Sequence, residues 1–186
     1  MVFLIVGLLL LISFQGLYNY ESLRLALIAK FGAASYVIGC GVVLLMAFAL
    51  IVHGKSTTSY STVWLPPATL KLYVMPLMFV GFVIGVTQYV PSNLRRWLPR
   101  PLMCGALVWF ITHLLVKGDL ASMVLFGGLA IFAGVGCLGK RREFPKISWL
   151  KESLPIAIGG VSYFILFLLH GSLFGVAPTM MGRGFF

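Results

Sequence analysis

Six stretches of the chain carry almost no charge and approach or exceed the length needed to cross a lipid bilayer. They run from Val2 to Tyr18, Tyr36 to His53, Ala68 to Val90, Leu102 to Val116, Leu120 to Leu138 and Leu154 to Phe174. A transmembrane helix needs about 20 apolar residues to span a hydrocarbon core roughly 30 Å thick. Six such helices consume ~120 residues, most of a chain of 186. Only 10% of the residues are charged and 60% are hydrophobic, whereas a soluble domain is about a quarter charged. A soluble enzyme, a disordered chain and a disulfide scaffold are therefore excluded. The expected fold is all-α: a polytopic transmembrane bundle of about six helices, forming one domain over residues 1–186.

Proline and glycine punctuate these boundaries. Pro66 and Pro67 precede the third run, and Pro91 ends it. Pro99 and Pro101 open the fourth, and Pro155 lies in the first turn of the sixth, where a missing backbone donor costs least. Pro76 inside the third run predicts a kink. Gly81 and Gly85 form a small-xxx-small pair there, and Gly127, Gly128, Gly134 and Gly136 mark the fifth run for close helix packing. Lys117, Gly118 and Asp119 alone separate the fourth and fifth runs, which predicts a tight helical hairpin. The first run lacks the basic n-region and small-residue cleavage site of a signal peptide and is read as a retained helix.

The net charge of +10 describes orientation. Loops one, three and five hold ten Lys and Arg: Arg24, Lys30, Arg95, Arg96, Arg100, Lys140, Arg141, Arg142, Lys146 and Lys151. The opposite side holds Lys55, Lys71, Lys117 and Arg183. The excess predicts cytoplasmic loops one, three and five and two external termini. Trp97, Trp149, Tyr36 and Tyr89 then form one aromatic belt, and Tyr60, Trp64 and Tyr73 the other. No soluble domain exists to present the basic stretches to nucleic acid. Lys140-Arg141-Arg142 is read as a topology anchor against anionic lipid.

This threading puts His53, His113 and His170 at one membrane level, with Asp119 beside them. Imidazoles from different helices at one depth can ligate a metal or a haem iron. Each histidine also occupies a C-terminal turn, where it can cap carbonyls and complement the helix dipole. Both readings stay open. Asp119 fits the N-cap of the fifth helix, and it also fits an acceptor orienting His113. Cys40, Cys104 and Cys137 fall toward the opposite ends of their helices. Their odd count and spacing argue against disulfides and zinc, so they are read as packing residues. Met180-Met181 is a weak soft-metal pair. No serine-histidine-acid order, phosphate loop or HExxH occurs, so catalysis would need a bound cofactor. The chain is short and repeat-free for a transporter.

Arg100-Pro101-Leu102-Met103-Cys104-Gly105, then His113-Leu114-Leu115-Val116-Lys117-Gly118-Asp119-Leu120-Ala121-Ser122 and Phe126-Gly127, resemble the central signature of the NnrU family. That signature reads roughly R-H-P-x-x-x-G, H-L-x-x-N-G-D-x-x-S and F-G. The ending His170-Gly171-Ser172-Leu173-Phe174-Gly175-Val176-Ala177-Pro178 is similar to the family's close. The resemblance implies an integral inner-membrane protein linked to denitrification through nitrite or nitric oxide reductase, with a respiratory or reductase complex as partner. The family is related to the plant 15-cis-ζ-carotene isomerase, which uses haem b. That kinship implies the alternative, a haem-dependent isomerase or redox enzyme acting on a lipophilic substrate. Carried over by position, His113 and His170 become haem-iron ligands, with Asp119 in the second shell and His53 the weakest member. Three positions depart from the pattern. Phe14 to Tyr18 contains no histidine, Pro101 follows Arg100 directly, and Lys117 stands where asparagine is common.

Overall fold

The computed structural model describes residues 1–138 and 143–174, which form seven α-helices and no strand. These are α1 (Val2–Asn19), α2 (Glu21–Phe31), α3 (Ala33–Ser56), α4 (Lys71–Val86), α5 (Pro101–Val116), α6 (Leu120–Cys137) and α7 (Ser153–Phe174). Five helical segments are long and apolar enough to span a membrane. The sixth, α5, has 16 residues and is ~24 Å long at 1.5 Å per residue. The bundle expected from hydropathy is thus present, with two changes. Loop one contains the additional helix α2, and the third run ends at Val86 instead of Val90. Thr87 stops α4 by donating its hydroxyl to the Ile84 carbonyl at 2.7 Å, and the next amides bond only three residues back. The basic triplet at 140–142, Met180-Met181, Arg183 and the motif beyond Phe174 lie outside the described residues.

Gly32 separates α2 from α3 with φ +83° and ψ 155°. That backbone conformation is open to glycine and strained for other residues.

The six long helices pack as a row in the order α3, α1, α6, α5, α4, α7. Lipid offers no hydrophobic drive between helices, so close van der Waals approach must hold such a row. Glycines supply it. A Cβ on Gly7 would meet the Ala47 carbonyl at 2.8 Å, and one on Gly159 would meet the Val83 Cα at 2.8 Å. Gly105 faces Gly81 and Gly85 backbone to backbone, as the small-xxx-small pair predicted. Gly128 receives the Leu8 side chain and Gly136 receives Met103, while Gly127 and Gly134 face open space.

Burial runs opposite to that of a soluble protein. Leu45 is 70% exposed, whereas Ser92, Asn93, Thr112, His113, Asp119 and Ser122 are buried. Many apolar side chains face outward, and the buried polar ones find partners on their own helix or on neighbouring segments, as a chain in hydrocarbon requires.

Candidate histidine site

The bundle has two chemically different ends. One carries the Met1 ammonium, which donates to Thr58 Oγ1 at 2.8 Å. It also carries the ends of α3, α5 and α7 with their three histidines. The other end carries the Arg95, Arg96 and Arg100 stretch.

At the histidine end, α5 and α6 meet in the Lys117–Asp119 turn. The segment after α3 folds across this turn as a strap. Val63 N–H donates to the Gly118 carbonyl at 2.7 Å, and Leu120 N–H donates to the Ser61 carbonyl at 2.8 Å. The Trp64 indole donates to the Lys117 carbonyl at 3.1 Å. Trp64 thereby ties the strap to the turn. Gly118 is required here, since a Cβ would collide with the Trp64 carbonyl oxygen.

Asp119 occupies the N-cap of α6. Its Oδ2 accepts from Ser122 N–H at 2.9 Å and from Lys55 Nζ at 2.8 Å, and Lys55 also reaches Ser122 Oγ at 2.8 Å. Burial by itself would raise the Asp119 pKa. The Lys55 ammonium and the Ser122 donors outweigh it and hold the carboxyl below its ordinary value. Lys117 is shifted down, chiefly by burial and partly by the Lys55 charge, against the pull of Asp119.

His113 is 5% exposed. Its Nδ1 lies 3.0 Å from the Trp109 carbonyl one turn back. A carbonyl can only accept, so Nδ1 carries the proton and Nε2 keeps its lone pair. The ring stacks on Phe126 of α6 at 4.6 Å and 22°, and tilts against Trp109 at 4.1 Å. The acceptor on His113 Nδ1 is thus the Trp109 carbonyl, while Asp119 accepts from Lys55 and Ser122. His170 of α7 is half-buried and close enough to act electrostatically on His113. His53 is exposed and packs edge-on against Phe3 of α1 at 5.1 Å. All three histidines share one end, where His170 bears on His113 electrostatically and His53 packs on Phe3 instead. No group of three or more His, Cys, Asp or Glu suited to a metal ion occurs among the described residues.

The profile of the family described as NnrU protein matches residues 3–178. The chain belongs to the NnrU family. No curated protein and no solved structure matches it. In this NnrU protein the central signature residues from His113 to Ser122 form the α5–α6 turn, its cap and the buried imidazole. Sequence reading missed Lys55 and Trp64 as partners of that turn. The signals were present in a lysine closing a long apolar helix and a tryptophan just before two prolines. It also missed a polar cluster at the arginine end, where Asn93 exchanges two bonds with the Ile147 backbone and Glu152 accepts from Ser92. Cys104 and Cys137 face one another across α5 and α6.

Proposed function

We propose that this chain is an integral inner-membrane protein acting as an accessory factor in denitrification, or in a related haem or respiratory process. Loops one, three and five lie in the cytoplasm and both termini in the periplasm in this reading. Its supports are membership of the NnrU family, the basic residues on alternate loops, and the buried imidazole of His113. The last carries the chemistry. A carbonyl fixes the Nδ1 proton, which orients the ring and leaves Nε2 free to ligate.

The donor chemistry of these residues supports an iron porphyrin in this reading. His113 offers Nε2 from a ring crowded by Trp109 and Phe126, and His170 stands at the same end. Lys117 offers an ammonium as countercharge for a propionate. Haem b, when bound, supplies a redox-active and Lewis-acidic iron. The chain's own contribution is to hold the ring and keep water from it. The partners in this reading are the bilayer, a reductase or respiratory complex, and further copies of the chain.

The first test is an optical spectrum of the purified protein with iron analysis. The reading expects a Soret band that is lost or shifted in His113→Ala and altered in His170→Ala. An unchanged spectrum in both variants overturns the haem assignment. A deletion strain that turns over nitrite and nitric oxide normally under oxygen limitation overturns the denitrification role. The buried imidazole of His113 among apolar helices also supports a second reading, a haem-dependent isomerase or redox enzyme with a lipophilic substrate. Turnover of such a substrate by haem-loaded protein, abolished by His113→Ala, selects it.

A further inference from the structure

At the arginine end, a cavity of about 310 Å³ opens between α4, α7 and the segments that join them to their neighbours. Val83, Thr87, Pro155 and Ile156 form its walls, and Trp97 and Trp149 flank it at 68% and 75% exposure. Asn93 and Glu152 line it as well.

Glu152 is the unusual member. Its carboxylate accepts from Ser92 Oγ at 2.7 Å and from the Asn93 N–H. Among the described residues no cation pairs with it. The ion pairs among the described residues join Arg24 to Glu21 and Lys55 to Asp119. Two nearby guanidinium groups are engaged elsewhere, Arg95 over the Phe144 ring at 4.0 Å and Arg96 on the Phe144 carbonyl at 3.1 Å. Among the described residues, then, a half-buried carboxylate stands without a counter-ion beside a cavity. A carboxylate has about four lone-pair sites, so two donors leave acceptor capacity for a third. Exposed indole faces add a favourable field for a cation. Ile156 is exposed, and the α4 and α7 faces beyond it are apolar and outward. That is the path an acyl chain would follow.

We propose that this cavity seats the ammonium head group of a membrane lipid, with Glu152 as its counter-ion and Trp97 and Trp149 as its walls. The surrounding basic residues alone would favour an anionic lipid, so the proposal makes the opposite prediction. The full chain, purified in detergent, is offered phosphatidylethanolamine, phosphatidylcholine and phosphatidylglycerol with identical acyl chains. Retained lipid is then read by native mass spectrometry. An ammonium lipid should be retained about threefold or more over phosphatidylglycerol, the size of a partly exposed ion pair. Ethanolamine above choline indicates hydrogen-bond donation to Glu152, and the reverse indicates the indole faces; either supports the site. Glu152→Gln should abolish the preference. Ile156→Phe should weaken it by filling the cavity while leaving the Glu152 bonds intact, which covers a failure of Glu152→Gln to fold. Equal or greater retention of phosphatidylglycerol by the native chain overturns the proposal, as does a preference unchanged in Ile156→Phe.

Discussion

Lys55 Nζ and Asp119 Oδ2 lie 2.8 Å apart, joining the last turn of α3 to the first turn of α6 at the histidine end. The pair links two helices that otherwise meet only slightly, because α1 lies between them. Asp119 is 6% exposed, so its carboxylate depends on these donors for the solvation it has lost. Asp119→Ala should cost about 1–3 kcal/mol through loss of the N-cap and the ion pair. Lys55→Met should cost less, about 1 kcal/mol, because the ammonium is one-third exposed and screened. Thermal unfolding in detergent micelles measures both.

The same pair sets an acid limit. The folded pKa of Asp119 lies below its ordinary value of 3.8. The native state therefore binds fewer protons than the unfolded chain as pH falls through that window. The stabilisation is complete above the ordinary value and is lost as pH falls through the folded value. Unfolding curves taken from about pH 6 down to about pH 2 should show this loss. Asp119→Asn should flatten it.

Lys117 has the reverse relation to stability. Burial lowers its pKa from 10.5, so folding disfavours the ammonium. Stability should rise as pH climbs through the folded value toward the ordinary one. Lys117→Met should raise the melting temperature of the cofactor-free protein at neutral pH. If the ammonium serves a propionate, the same variant should hold haem less tightly, which a haem-transfer assay to a competing apoprotein would measure.

Glycine substitutions should separate seam positions from open ones. Gly105→Ala drives a methyl into the Gly81 carbonyl and the Gly85 backbone, and Gly118→Ala drives one into the Trp64 carbonyl. Each should cost about 2–4 kcal/mol, since neither obstacle is a side chain that can rotate away. Gly127→Ala and Gly134→Ala meet nothing within 4 Å. They should be neutral or stabilise by about 0.5–1 kcal/mol through helix propensity. Expression yield and melting temperature across the four variants test the row order directly.

Asn93→Ala removes the two bonds that tie Ile147 to the segment after α4, leaving the Arg95 and Arg96 contacts to Phe144 in place. A loss of about 2–3 kcal/mol is expected, together with faster proteolysis near Ile147. Proteolysis at the wild-type rate would show that the segment is held elsewhere.

Much of the fold was legible because crossing a membrane imposes a length and a polarity on each segment separately. Five of the six runs match helices to within a few residues at each end, and the third ends at Val86, four residues short. The Asp119 cap was also legible, because capping is local and Asp119 directly precedes an apolar run. α2 was not legible. Its eleven residues mix polar and apolar types on every face, so no periodic stripe marks it.

Hydropathy, proline punctuation and connectivity determined that the chain is a membrane bundle built on six apolar helical runs, with its three histidines at one end. Tertiary structure alone decided that His113 is buried against Phe126 and Trp109, that His53 is left outside against Phe3, and that Asp119 answers to Lys55. These helices are apolar on nearly every face, so their sequences carry little information about which side turns inward. In lipid that choice is made by where glycines let backbones approach. A glycine seam acquires meaning only when its partner helix is known.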